Sequence, residues 1–226
     1  MKLTLDLVKN NSKIKDFIRQ TEHYLNAIDY TDHGQRHINI AADRARSIAR
    51  KIGLPAGEQE LCAIAGYCHD SGNFLGRTQH HYWGALLFSQ VFLNEAENPH
   101  DVSTIAQAIV SHDKDEIKIV SMVTAVLILA DKSDVHRSRV KIKKGQIPTM
   151  SSMADIHDRV NYAVVDNDLT VEPKKKLITL KLKLDTKFSA PLEYFEIFTA
   201  RMAFCRLAAE YLGYKFGLEI NKFKLL

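Results

Sequence analysis

Apolar residues recur at three- and four-residue steps through the first two-thirds of the chain, a spacing that predicts amphipathic helices. The clearest run lies between Ile38 and Ile52, and Gly53 with Pro55 just beyond it predicts where that helix ends. Helices are predicted over residues 11–28, 34–52, 58–70, 78–94, 100–112 and 118–131. The last of them is apolar on nearly every side, which is typical of a helix at the centre of a bundle.

The pattern changes after about residue 155, where apolar and polar residues begin to alternate. This alternation predicts half-exposed strands over residues 160–164, 178–184 and 216–220, with a helix over 190–212 before the third strand. Pro173 and the three lysines after it predict a hairpin connection between the first two strands. We therefore expect a mainly α protein. Its two parts are a helical domain over residues 1–155 and a small antiparallel sheet covered by one helix over residues 156–226.

The composition is that of a globular protein, with 226 residues of which 46% are hydrophobic and 26% are charged. A net charge of +4 suits an anionic substrate but does not by itself indicate a nucleic-acid partner. No apolar segment is long enough to span a bilayer, and the first residues show no signal peptide. Cys62 and Cys68 lie within an apolar helix, where we expect buried thiols. The odd number of three scattered cysteines, without a disulfide framework, favours a cytoplasmic location.

His69 and Asp70 follow an apolar helix and precede a tight turn at Ser71 and Gly72. Burying an imidazole beside a carboxylate costs free energy unless something binds there, and both groups are ligands of divalent metals. A carboxylate can bridge two ions whereas an imidazole nitrogen cannot, so Asp70 is the natural bridge of a two-metal site. Asp131 ends a later apolar helix, where the helix dipole disfavours a carboxylate, which favours a ligand over an exposed cap.

Two further histidines lie near the start of the second predicted helix. His37 falls on its apolar stripe, as either a core residue or a ligand. His33 precedes it by four residues, a spacing that can place two imidazoles on one ion. Asp32 and Gly34 beside His33 favour a loop instead, and the sequence leaves both alternatives open.

The ordered series of these residues resembles the HD-domain superfamily of metal-dependent phosphohydrolases. R-H-I-N-I-A at 36–41 is similar to its first-histidine motif, H-D-S-G at 69–72 to its H-D-x-G signature, and A-D-K at 130–132 to its last-ligand motif. H-H-Y-W-G-A at 80–85 and I-V-S-H-D at 109–113 resemble two motifs of the branch that holds two metals. The resemblance covers about residues 30–140 and implies an all-helical body.

The resemblance also implies two ligand sets, which are His37, His69, Asp70 and Asp131 for one ion and Asp70, His80 and His112 for the other. Spacing to Gly84 favours His80 over His81 as the ligand. Some relatives carry two consecutive histidines where this chain has His112 and Asp113, and a ligand role for Asp113 stays open. Imidazole and carboxylate ligands without thiolate favour Mn, Fe, Co or Zn over Ca.

The activity expected from this resemblance is hydrolysis of a nucleotide or another small phosphoester by metal-bound hydroxide, with Asp70 as the central residue. The branch that hydrolyses cyclic di-GMP carries a Gly-Tyr-Pro motif and a lysine after H-D-x-G, whereas this chain has no such motif and Asn73 at that position. These departures disfavour cyclic di-GMP as the substrate. Two alternatives remain open: a metal-containing binding or regulatory module without hydrolysis, and a di-iron oxygenase.

A basic run follows Asp131. Lys132, Arg137 and Arg139 are predicted to bind a substrate phosphate, since arginine suits bidentate contacts. The later lysines at 141, 143 and 144 either extend this surface or form a solvated loop, and without interleaved aromatic residues the run disfavours nucleic acid. The C-terminal sheet shows no chemistry, and it either shapes the pocket mouth or forms a homodimer through an exposed strand edge.

Overall fold

The computed structural model describes residues 1–28, 30, 32–113, 118–142, 149 and 155–225. The chain forms two compact units, Met1–Asp131 and Lys132–Leu226. The described residues are mainly helical with a small four-stranded sheet near the C-terminus, which confirms the predicted fold class. The domain boundary predicted at residue 155 directly follows residues 150–154, which lie outside the described part, so it stays a prediction.

The first unit is built from seven described helices, and the last of them ends one residue beyond it. These are α1 (Leu5–Asn10), α2 (Ser12–Ala27), α3 (Gln35–Lys51), α4 (Ala56–Cys68), α5 (His80–Phe92), α6 (Pro99–Ser111) and α7 (Met122–Lys132). Two short 3-10 turns, Asn73–Leu75 and Arg77–Gln79, connect α4 to α5. The sequence predicted one helix over 11–28, and the structure adds α1 before it because the Asn11 side chain caps α2 by accepting from two backbone N–H groups.

Small residues let α3 and α4 pack closely. The buried side of α3 carries four alanines at helical spacing, which are Ala41, Ala42, Ala45 and Ala49. On the facing helix, a Cβ placed at Gly66 would lie 2.8 Å from the backbone carbonyl oxygen of Ala41. Glycine is therefore required at this close approach. This contact fixes the end of α4, where His69 and Asp70 lie, against the start of α3, where His37 lies.

The apolar helix α7 is buried over the whole stretch from residue 125 to residue 130, as its all-round apolar pattern predicted. Asp131 follows this apolar stretch near the end of α7, and its carboxylate is also buried, with an exposed fraction of 7%. All three cysteines are buried free thiols, which confirms the burial predicted for Cys62 and Cys68. No helix in the described part of the chain is both long and apolar enough to cross a membrane.

The second unit contains two helices and the sheet among its described residues. In chain order these are α8 (Ile156–Ala163), β1 (Val164–Glu172), β2 (Leu177–Leu184), α9 (Pro191–Tyr211), β3 (Lys215–Ile220) and β4 (Phe223–Lys224), and the strand order is β1-β2-β3-β4. Ile178, Leu180, Leu182 and Leu184 are buried along β2, which confirms the alternation seen in the sequence. Gly213, at φ +76°, follows the end of α9, in agreement with the helix predicted over residues 190–212.

Two predictions about this unit were wrong. Residues 160–163 belong to helix α8 rather than to a strand, because Asp155 caps the helix start and Val160 and Ala163 are buried one turn apart. The sheet is mixed rather than antiparallel, since β3 pairs with β2 in parallel. A helix between two neighbouring strands returns the chain to the same end of the sheet, so the crossover through α9 produces parallel pairing.

Candidate metal centre

Five helix ends of the first unit meet at one buried point and bring together all six residues expected as metal ligands. His37 lies in the first turn of α3 and His80 begins α5, whereas His69 and His112 follow the last residues of α4 and α6. The six residues are at most 7% exposed, and they are His37, His69, Asp70, His80, His112 and Asp131. Within the described residues they form three overlapping groups suited to a metal ion.

The first group surrounds His37 and His69. The Nε2 atoms of these two histidines lie 3.1 Å apart, and Oδ2 of Asp70 lies 3.5 Å from the first and 3.2 Å from the second. Oδ1 of Asp131 lies 3.3 Å from Nε2 of His37 and 3.6 Å from Nε2 of His69. Two ligand atoms on one tetrahedral ion lie about 3.4 Å apart when each bond is about 2.1 Å long, so these spacings fit a single ion.

The second group uses the other oxygen of Asp70. Oδ1 of Asp70 lies 3.3 Å from Nε2 of His80, which in turn lies 3.3 Å from Nε2 of His112. His69, His112 and Asp131 form a further overlapping group, with ligand atoms within 4.8 Å of one another. The two carboxylate oxygens of Asp70 therefore face different imidazoles, which is the arrangement expected of a carboxylate between two ions.

Backbone hydrogen bonds orient three of the imidazoles. The Nδ1 atoms of His69, His80 and His112 lie 2.9, 2.9 and 2.6 Å from the carbonyl oxygens of Gly66, Arg77 and Ile109, each three residues earlier. Donation from Nδ1–H to a carbonyl leaves the lone pair on Nε2, and in all three residues Nε2 points into the cluster. Each imidazole is thus held in the tautomer that a metal ligand requires.

Electrostatics also suit a bound cation. Burial opposes protonation of His69, but the charges of Asp70 and Asp131 outweigh it and raise the pKa of His69 to about 10. Burial acts to raise the pKa of Asp70, yet the charges of His69 and His33 hold it well below its ordinary value. Oδ2 of Asp70 is buried beside the Nε2 atoms of His37 and His69, which donate no hydrogen bond to it when both provide their lone pairs to a metal. An ionised oxygen in that position is costly unless a cation binds it, so the donor set fits a divalent metal.

Gly72 allows the start of α5 to approach the His69–Asp70 turn. A Cβ at Gly72 would lie 2.3 Å from the backbone nitrogen of Gly84 and 2.3 Å from the carbonyl oxygen of His80. No side chain fits in that space, so glycine at position 72 is a steric requirement of the close approach. The glycine of H-D-S-G therefore serves to bring His80 to Asp70.

The structure also places the residues that the sequence left open. His80 rather than His81 belongs to the groups that can hold a metal within the described residues. His33 lies in the loop before α3, with its ring centroid 5.5 Å from that of His37 and 5.2 Å from that of Tyr30. The loop alternative for His33 is confirmed, and its ring packs beside a candidate ligand.

The three residues predicted to bind a substrate phosphate lie in the second unit. Lys132 is the last residue of α7 and is buried. Arg139 is also buried, and its Nη1 donates to the carbonyl oxygen of Asp134 at 2.8 Å. The guanidinium carbon of Arg137 lies 4.9 Å from the ring centroid of Tyr162. Their role in substrate binding stays a prediction, and the lysines at 143 and 144 lie outside the described residues.

The sequence analysis did not identify Arg77 or Asn73 as residues of the candidate metal centre. Nδ2 of Asn73 donates to Oδ1 of Asp70 at 2.9 Å, so this side chain orients the shared carboxylate. Nη1 of Arg77 lies 3.3 Å from Oδ1 of Asn73 and 2.7 Å from Nδ1 of His80. Burial acts to lower the pKa of Arg77, but Asp70 and Tyr30 raise it above its usual value. The sequence signal that could have identified Arg77 is its position, as a basic residue between the H-D-S-G and H-H-Y-W-G-A motifs.

Comparison with known proteins agrees with this geometry. Residues 35–143 match the HD domain family, and the match contains all six clustered residues. The chain is also similar to the uncharacterized protein MJ1020 of Methanocaldococcus jannaschii, with 24% identity over 208 residues. That alignment spans 82% of this chain and 78% of the relative.

Proposed function

Because residues 35–143 belong to the HD domain family, we propose that this protein is a metal-dependent phosphohydrolase that acts on a nucleotide or another small phosphoester. The observation that carries the proposal is the position of Asp70, whose two buried oxygens face two different groups of imidazoles. A single structural metal needs only one such group. The proposal therefore includes two divalent ions with Asp70 between them.

Six side chains would hold the metals. Four neutral imidazoles and two carboxylates carry a net charge of −2, so two divalent cations would leave the buried site with a net charge of +2, which suits an anionic substrate. The donor set contains no thiolate, and it suits Mn, Fe, Co or Zn. Bound divalent metal would supply Lewis acidity toward phosphoryl oxygens and would lower the pKa of bound water to about 7.

The protein's own residues orient the site. The carbonyl groups of Gly66, Arg77 and Ile109 fix three imidazole tautomers, and Asn73 fixes Oδ1 of Asp70. Pre-oriented ligands need no reorganisation when substrate charge develops, which is the general advantage of a rigid site. The helix ends that carry these ligands are buried, so the ligand geometry is held by the packed core of the first unit.

The test combines metal analysis with an activity screen. Purified protein is reconstituted with Mn, Fe, Co or Zn, its metal content is measured by elemental analysis, and hydrolysis of a panel of nucleotides and small phosphoesters is followed. We expect two ions per chain and turnover of at least one phosphoester, both reduced in Asp70→Ala. Asp43→Asn, an exposed carboxylate on α3, is the matched control and should retain both.

Three outcomes would contradict the proposal. Two ions without turnover of any phosphoester would favour a binding or regulatory module. A single ion would remove His80 and His112 from the ligand set. Oxygen-dependent turnover with redox-active iron, lost on replacement of iron by Mn or Zn, would identify an oxygenase instead.

A further inference from the structure

Arg77 lies against the second group of ligands. It begins the short 3-10 turn before α5, and its Nη1 lies 2.7 Å from Nδ1 and 3.1 Å from Nε2 of His80. The guanidinium carbon also lies 5.4 Å from the ring centroid of Tyr30, a distance that allows a cation–π contact. A permanent positive charge therefore lies beside an imidazole that the proposed function assigns to a metal.

While His80 is a metal ligand, its imidazole cannot accept a hydrogen bond from the guanidinium of Arg77. Its Nδ1 lies 2.9 Å from the carbonyl oxygen of Arg77 and 2.7 Å from Nη1 of the same residue. When Nε2 provides its lone pair to a metal, the ring proton is on Nδ1 and is donated to the carbonyl oxygen. In that tautomer Nδ1 accepts nothing from Nη1, and the acceptor that remains for this N–H group is Oδ1 of Asn73 at 3.3 Å, a long hydrogen bond.

The ion pair between Arg77 and Asp113 is long. Nη2 of Arg77 lies 3.6 Å from Oδ2 of Asp113, longer than the roughly 2.7–2.9 Å of a charge-assisted hydrogen bond. The two side chains are 26% and 34% exposed, so water reaches this pair, although His80 beside it is buried. Partly exposed ion pairs of this kind contribute little free energy, and a phosphoryl group that accepts two N–H bonds competes well with them.

We infer that Arg77 binds the phosphoryl group of the substrate beside the Asp70–His80–His112 group, and that Asp113 is the guanidinium's partner in the absence of an anion. The inference rests on the proposed function, because it takes the substrate to be a phosphoester. It assigns substrate binding to the first unit, in addition to the prediction for Lys132, Arg137 and Arg139. Asp113, a candidate ligand in the sequence, becomes a competitor of the substrate.

The experiment measures binding of inorganic phosphate to the metal-loaded protein by titration calorimetry, together with kcat and KM for any phosphoester that is hydrolysed. Arg77→Gln should weaken phosphate binding about tenfold or more and raise KM more than it lowers kcat, with unchanged metal content. Arg77→Lys should restore part of the affinity, since it keeps the charge but loses the bidentate contact. Arg50→Gln, an exposed arginine of α3, is the control and should match the wild type.

Asp113→Asn tests the competition directly. Removal of the competing carboxylate should strengthen phosphate binding about two- to fivefold without loss of metal. Loss of metal in Asp113→Asn would make Asp113 a ligand, and loss of metal in Arg77→Gln would make Arg77 a residue that positions His80. Either result would overturn the inference. Equal phosphate affinity of Arg77→Gln and the wild type would also overturn it, as would a wild-type protein that binds no phosphate.

The inference and the proposed function fail in different ways. Binding of phosphate that depends on Arg77, in a protein that hydrolyses nothing, would support the anion site and contradict the phosphohydrolase. Hydrolysis with a KM unaffected by Arg77→Gln would support the phosphohydrolase and contradict the anion site.

Discussion

The Nε2 atoms of His37 and His69 lie 3.1 Å apart in a fully buried site, and two imidazole lone pairs at that distance require a proton or a cation between them. Nδ1 of His69 is turned to the carbonyl oxygen of Gly66, so any added proton on this ring resides on Nε2. The proton and the metal therefore compete for one atom of His69.

This competition predicts that metal binding releases protons. The pKa of His69 is raised to about 10 by Asp70 and Asp131 against the effect of burial, so this ring is protonated at neutral pH before metal binds. Asp70, whose pKa is lowered, has no proton to release. Metal affinity should rise with pH between about 6 and 9, by up to about tenfold per unit for one released proton.

Calorimetric titration of metal in buffers of different ionisation enthalpy measures the released protons directly. The exposed residue His23 provides the control, since His23→Asn should leave the proton release unchanged. Equal metal affinity at pH 6.5 and pH 8.5, with no proton release, would show that His69 is already neutral.

The close approach at Gly72 predicts that alanine substitution is more destabilising there than at Gly57. Gly72→Ala introduces a Cβ 2.3 Å from two backbone atoms of α5, and such overpacking costs about 1–3 kcal/mol of unfolding free energy. Displacement of α5 should also move His80 from Asp70 and reduce the metal content. At Gly57, in the first turn of α4, an added Cβ meets nothing within 4 Å. Gly57→Ala should therefore be neutral or stabilise by up to about 1 kcal/mol.

Chemical denaturation gives the free energies for both variants, and elemental analysis gives their metal content. A Gly72→Ala protein with wild-type stability and metal content would mean that α5 shifts without cost. The function of this glycine would then lie elsewhere than in the contact between the turn and α5.

The start of α9 predicts a pH effect in the second unit. The carboxylate of Glu193 accepts from the backbone N–H of Ala190 at 3.1 Å and from Nε of Arg159 at 3.1 Å. The hydrogen bond from Arg159 is the main cause that lowers the pKa of Glu193 in the folded protein. The ionised carboxylate therefore stabilises the fold at pH values above the unfolded pKa of Glu193. This contribution is lost as the pH falls through the folded pKa. Glu193→Gln should cost about 1 kcal/mol at pH 7.

The cost of Glu193→Gln should shrink toward zero in acid, which denaturation at pH 7 and near pH 3 would show. Glu210→Gln is the matched control at the other end of α9, because the pair of Arg206 and Glu210 is about half-exposed. It should change stability by less than about 0.5 kcal/mol. An equal cost for Glu193→Gln at both pH values would exclude an ionic contribution.

Local pattern was sufficient for most elements of this chain. The spacing of apolar residues predicted α3, α4 and α6 within a few residues, because burial of one helix face imposes a three- and four-residue repeat on the sequence. Alternation predicted β2 and β3 for the same reason. It failed at residues 160–163, where the Asp155 cap and the burial of Val160 and Ala163 favour a helix. Parallel pairing of β3 depends on the crossover through α9, which no local pattern encodes.

The sequence by itself determined which residue types reach the candidate metal centre, since imidazoles and carboxylates at buried helix ends need a cation. Tertiary structure decided how they meet. Segments separated by tens of residues converge only when their helices pack, so the sequence did not show which oxygen of Asp70 faces which imidazoles. The sequence also did not show the hydrogen bonds to backbone carbonyl groups that set the imidazole tautomers, or the position of Arg77 between His80 and Asp113. These depend on distances of a few tenths of an ångström, which packing sets and residue spacing does not.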